Sequence, residues 1–232
     1  MNKNSSFINS KLLDNLAILA KKILLKYLKS VLEINNCFNY EKVESLRKYL
    51  DSFSLVKTSD ETLSLAKCYF HERQIGLFQA FFHESYYEEL LTLIHEYVHI
   101  VSNYNQNMFM PFVIEEGMAE LVSKYALINY GKFNISKLNF ENTAYLPCIE
   151  LVEKMFSKTN KETFIYNYYF QEKKEFEDYL STTFGNSIFE MLNSFKIIDP
   201  YIEEQTEDDL RVEISKIYNN FINCSKIKKY GA

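Results

Sequence analysis

One five-residue stretch constrains this chain more than any other: His95-Glu96-Tyr97-Val98-His99, set in the apolar segment Leu90 to Val101. Apolar positions in that segment recur with a helical period. On a helix, residues four apart lie one turn along and about 40° around the axis from each other. Both imidazoles therefore project to one side, as the donors of a single zinc ion must. Glu96 lies about 100° around from His95, where a carboxylate can reach a water at such an ion without ligating it. The same letters also describe a buried helix with two satisfied histidines and a solvated glutamate. The chain has only four histidines, and two of them fall at this spacing, which favours the metal.

Composition narrows the fold. The 232 residues are 47% hydrophobic, enough for a core, and the aromatics are all Tyr and Phe. Glycine (5) and proline (3) are scarce, which argues against an all-β or disordered chain and for helices with short connections. The expected class is α+β, mostly helical. A net charge of −5 offers no attraction to a phosphate backbone, so no nucleic-acid partner is expected. Cys37, Cys68, Cys148 and Cys224 are far apart and form no C-x-x-C pair. They read as reduced, mostly packed thiols in a reducing compartment rather than metal ligands. No apolar run approaches the roughly 18–20 residues of a membrane span, so no stable membrane insertion is expected. Met1 to Ser10 lacks the pattern of a secretory signal. The expected location is cytoplasmic, with export by another route left open.

Taken in order, Ser10 to Asn35 carries helical periodicity through Leu12, Leu16, Leu19, Ile23, Leu24, Tyr27, Leu28 and Val31. Its polar side is lysine-rich (Lys11, Lys21, Lys22, Lys26, Lys29), which reads as a solvated scaffold face or as a surface for anionic lipid. A second helix is expected from Tyr40 to about Asp51. Leu63 to Phe70 and Gln74 to Phe82 have strand character, the second more clearly. Gly76 marks a bulge or a close backbone approach. His71 and His83 flank these strands and read as surface or partly buried residues.

Ser85 with Glu88 forms a capping-box pattern for a helix from about Tyr86 to Val101 or Asn103. That helix has an apolar back (Leu90, Leu93, Ile94, Tyr97, Ile100, Val101) and a front with Glu88, Thr92, His95, His99 and Ser102. After a loop from Asn103 to Met110, another helix starts near Pro111 and runs to about Tyr130, with Gly131 at its end. On it Glu116 and Glu120 share a face, and Glu115 lies about 100° away. Gly117 costs about 1 kcal/mol against Ala within a helix. Close packing against the histidine helix would explain it. Further helices are expected over Tyr145–Lys158, Lys161–Phe170, Lys173–Phe184, Asn186–Ile197 and Glu207–Cys224, with breaks at Asn160, Gly185 and Asp199-Pro200. The acidic run Glu203–Asp209 reads as a solvated loop and helix start, and Lys226–Lys229 as a tail.

His95-Glu96-x-x-His99 followed by Glu116-Gly117-x-Ala119-Glu120 resembles the gluzincin zinc metallopeptidases, the clan that includes a large aminopeptidase family and thermolysin-like enzymes. The resemblance implies that Glu116 is the third ligand of one Zn²⁺. Sixteen residues separate His99 from Glu116, slightly fewer than is commonest in the clan, so Glu115 and Glu120 stay open as ligands. It also implies that Glu120 holds a ligand histidine by its other ring nitrogen. Tyr145-Leu146-Pro147-Cys148-Ile149-Glu150-Leu151 resembles a stretch of the aminopeptidase members whose tyrosine stabilises the oxyanion. Tyr145 is that candidate, with Cys148 where the family has Gly, and Tyr166, Tyr168, Tyr169 and Tyr179 are rivals. No histidine follows His99, which excludes a catalytic histidine downstream.

The implied fold is zincin-like: a small mixed sheet with the active helix behind it, then a helical lobe. The expected division is 1–60 helical, 61–132 core and 133–232 helical, as one compact unit. In zinc peptidases, the strand before the active helix offers a free edge to an extended substrate. The implied activity is hydrolysis of peptide or protein substrates, with Glu96 as general base. The competing expectation is a catalytically inactive, metal-binding interaction or regulatory protein. Oligomeric state is not legible.

Overall fold

The computed structural model describes residues 10–58, 65–104, 110–131 and 145–185, and in addition residues 188, 192, 212, 215, 216 and 219. The helices expected over 186–197 and 207–224 otherwise lie outside the described residues. So do the Asp199-Pro200 turn, the 203–209 acidic run, Cys224, the tail and the first nine residues. The described part is mostly helical, with seven helices and a small three-stranded mixed sheet. None of its helices is long and apolar enough to cross a membrane.

The chain forms two compact units. The first comprises Met1–Ser30, Asn39–Ile100 and Ser123–Leu138. Helix α1 (Ser10–Ile34) turns Leu16, Ala20, Ile23, Leu24 and Tyr27 into its core. Lys21 leaves the basic face: its Nζ donates to Asp51 Oδ1 at 2.6 Å and lies 5.8 Å from the Tyr97 ring centroid. Lys11, Lys22, Lys26 and Lys29 remain exposed. Helix α2 (Tyr40–Asp51) starts where the Asn39 side chain accepts from the Lys42 N–H.

The sheet follows, as β1 (Ser54–Lys57), β2 (Ala66–Tyr69) and β3 (Gln74–Leu77). Its order is β1-β3-β2, with β1 parallel and β2 antiparallel to β3. Three expectations change here. Strand β1 has no counterpart in the sequence reading. The extended run ends at Leu77–Phe78, and Gln79–His83 winds into a 3₁₀ turn that buries Phe81. Finally β3, the strand nearest the histidine helix in sequence, is paired on both sides, so among the described residues the edges belong to β1 and β2. Gly76 marks a close approach in an unbroken register: a Cβ there would lie 2.6 Å from the edge of the Tyr69 ring.

The second unit comprises Val31–Phe38, Val101–Val122 and Asn139–Ala232. It includes the N-terminal part of α4 (Phe112–Tyr130) and helices α5 (Leu146–Phe156), α6 (Lys161–Phe170) and α7 (Lys173–Phe184). Asn160 caps α6 by accepting from the Thr163 N–H at 2.9 Å, and a Glu172–Glu175 capping box starts α7. Gly185 ends α7 with a φ of 101°, a conformation that favours glycine. Phe164 is the hub of the core, with Phe156, Phe176 and Tyr179 ring centroids at 5.2, 5.5 and 5.9 Å. The three atoms nearest to a Cβ at Gly117 belong to Cys148 and Val152 of α5, a close approach that the sequence does not single out.

Candidate metal centre

The histidine helix, α3, runs Tyr86–Tyr104 and begins as its sequence predicts. The Ser85 N–H donates to Glu88 Oε2 at 3.1 Å, and the Glu88 N–H donates back to Ser85 Oγ at 3.4 Å. This satisfies donors that a helix start leaves without partners. The back of α3 is sealed, with Leu90, Leu93, Ile94, Tyr97 and Ile100 fully buried. Burial pushes the Tyr97 phenol well up, helped by Cys68 and Asp51. The Cys68 thiol of β2 donates to the Glu96 backbone carbonyl at 3.3 Å, tying the sheet to this helix. With its back fixed, α3 presents His95 and His99 half-buried on the other side.

The two Nε2 atoms approach to 3.0 Å, with the ring planes 70° apart. Two nitrogens on one tetrahedral zinc at about 2.0–2.1 Å would stand roughly 3.3 Å apart. The rings thus converge as a shared ion requires, a few tenths of an ångström too close. Without an ion, the same 3.0 Å suits an N–H···N hydrogen bond between the two neutral rings.

Helix α4 follows Pro111, whose carbonyl accepts from the Ile114 and Glu115 N–H groups. Glu116, on its second turn, brings a carboxylate oxygen to the histidines. One donor atom from each of His95, His99 and Glu116 lies within 4.8 Å of the others. Among the described residues, no other set of three or more His, Cys, Asp or Glu side chains meets this condition. Glu115 and Glu120 are not in the group, and His71 and His83 are exposed on the surface. Two imidazoles and one carboxylate make a borderline-soft set suited to zinc, and three protein ligands leave a coordination position for water. The residues therefore fit the ion.

Glu96 is only 7% exposed, although it neighbours the half-buried His95. Glu120 and Glu116 both lie near Cys148 of α5. Burial first, and these two carboxylates second, push its thiol well above the ordinary range. Tyr145 stands at the start of α5, half-buried, its ring centroid 6.0 Å from that of Phe112. Phe112 precedes Glu116 by one helical turn on the same face of α4. Tyr168 is fully buried, and its phenol is pushed well up by burial and the Glu115 charge, with a smaller contribution from Glu116. The Ser102 side chain faces it and acts in the opposite sense. Tyr166 pairs with Cys37, which with burial pushes its phenol up to about 12. Tyr169 and Tyr179 pack into the aromatic core. Sequence reasoning missed Phe112 and the Cys68 tie, and neither stands out in the sequence pattern.

No family model matches the chain, and no characterised protein or solved structure shows significant similarity to it.

Proposed function

We propose that this chain is a zinc-dependent peptidase of gluzincin type, with His95, His99 and Glu116 holding one Zn²⁺ and Glu96 as general base. The observation that carries the reading is the convergence of His95, His99 and Glu116, with Glu96 beside the first ligand on α3. When bound, the ion supplies Lewis acidity, activating a water and polarising the scissile carbonyl. The chain's own residues do the rest. His95 and His99 bind through neutral ring nitrogens, and Glu116 adds a negative charge that favours a divalent cation. The Glu96 carboxylate takes a proton from the attacking water and delivers it to the leaving amine nitrogen. Its burial keeps that transfer away from bulk solvent. The Tyr145 hydroxyl donates to the developing oxyanion, a contribution of about 10²–10³ in rate. Glu120 orients a ligand histidine. The small mixed sheet ahead of α3 and the helices after it agree with a zincin-like arrangement.

The second reading is a catalytically inactive, metal-binding interaction or regulatory protein. It draws on the pairing of β3 on both sides, which denies a substrate strand the edge nearest in sequence to α3.

Metal content decides first. Protein purified without added metal should carry one zinc per chain, lost in His95→Ala and in Glu116→Ala. The zinc protein should cleave denatured casein, and a chelator should stop it. Bound zinc without cleavage of any denatured protein supports the second reading. No binding even when zinc is offered removes both.

A further inference from the structure

We infer that Gly117 is a positioning residue for Glu116: the contact of its bare Cα with the α5 backbone at Cys148 sets where the third ligand stands. The inference rests on the metal reading above and adds to it a second helix, α5, as the support of the ligand set.

A Cβ at Gly117 would lie 2.5 Å from the Cys148 carbonyl oxygen, 2.9 Å from its carbonyl carbon and 2.7 Å from Val152 Cγ2. The first two are backbone atoms, which no rotamer change can move aside. Restoring ordinary contact near 3.4 Å from 2.5 Å needs a shift of roughly 0.9 Å. Cys148, Leu151, Val152 and Met155 of α5 are fully buried, as are Met118, Leu121 and Val122 of α4, so the two helices share the displacement. The part that α4 takes arises at Gly117, and Glu116 is the adjacent residue. Binding sites hold their ligands within about 0.5 Å, so a displacement of that order weakens the hold of the carboxylate on the ion.

Helix propensity alone would not call for glycine, since alanine is intrinsically favoured in a helix interior. The intrinsically poorer residue stands at a close approach of the two helices, one position from the ligand.

The test is zinc affinity at 25 °C by competition with a chromophoric chelator. The proteins are the wild type, Gly117→Ala, Val152→Ala and the control Leu46→Ala, whose core site is on α2. Loss of a supporting partner typically weakens metal binding about 10–100-fold, and Gly117→Ala should fall in that range. Val152→Ala loosens the same contact by removing atoms and should weaken zinc several-fold. Leu46→Ala should melt earlier yet bind zinc like the wild type. Wild-type affinity in Gly117→Ala overturns the inference, as does an equal loss in Leu46→Ala. If Gly117→Ala does not fold, Val152→Ala decides, and wild-type affinity there overturns it. A wild type that binds no zinc removes the proposed function itself, whereas a zinc-binding wild type with unaffected variants removes only the role of Gly117.

Discussion

Glu96 combines two properties that a general base between metal ligands needs: it neighbours His95 in sequence, and it is 7% exposed. Glu96→Gln keeps shape and burial while removing the proton acceptor. It should retain full zinc content and lose about 10²–10⁴ in kcat, the usual contribution of positioned acid–base catalysis. Single-turnover assays on zinc-loaded protein would check this, and retained hydrolysis would refute the assignment. The histidine pair is legible in the sequence because spacing along one helix fixes which side chains share a face. Glu116 is not legible from spacing alone. Whether Glu115, Glu116 or Glu120 reaches the histidines depends on how α4 is rotated, which its packing against α5 at Gly117 helps to decide. The tyrosines are harder still. Tyr145 beside Phe112 and Tyr168 facing Ser102 differ in burial and neighbours, and neither difference is written in local sequence.

At the scale of elements, the start of α3 is a charged structure in its own right. Glu84 and Glu88 are pushed in opposite directions. Glu88 is held below the ordinary carboxylate range by the hydroxyl and N–H of Ser85. Glu84 is raised by burial and by its neighbour Glu88. A raised carboxylate costs stability once ionised, a cost absent at acid pH that sets in as pH rises through the carboxylate range. Glu84→Gln should therefore raise the melting temperature slightly at neutral pH, and the gain should vanish at acid pH. Glu88→Ala should act oppositely, with a loss at neutral pH that shrinks as pH falls through the depressed Glu88 value. Melting curves of both variants between acid and neutral pH check the two signs together. The Ser85–Glu88 start is readable, because it follows from side chains reaching backbone three residues away; the Asn39 and Asn160 caps have the same geometry. Strand β1 is not, because Ser54–Lys57 is four residues long and exists through its parallel pairing with β3. The same limit explains Gln79–His83, where a long apolar run conceals a change from strand to 3₁₀ turn once Phe81 turns into the core.

For the whole molecule, the metal reading makes stability and zinc concentration a single problem. The three donors come from α3 and α4 and are brought together by folding, so the folded chain binds and the unfolded chain has no preformed site. A ligand that binds only the folded state at 1,000 times its Kd adds about 4.1 kcal/mol. For a chain of 150–250 residues, each kcal/mol moves the melting temperature by about 2–4 °C. Zinc in that excess should thus raise the wild-type melting temperature by roughly 8–16 °C, and a chelator should reverse the rise. The unfolded chain still carries four cysteines and four histidines, which bind zinc weakly and reduce the shift. His95→Ala separates the contributions, because it removes the assembled site and leaves three histidines and every cysteine. A zinc-dependent rise confined to the wild type places the binding at the α3–α4 donors. An equal rise in His95→Ala places it elsewhere in the chain and dissolves the case for a catalytic centre on these helices.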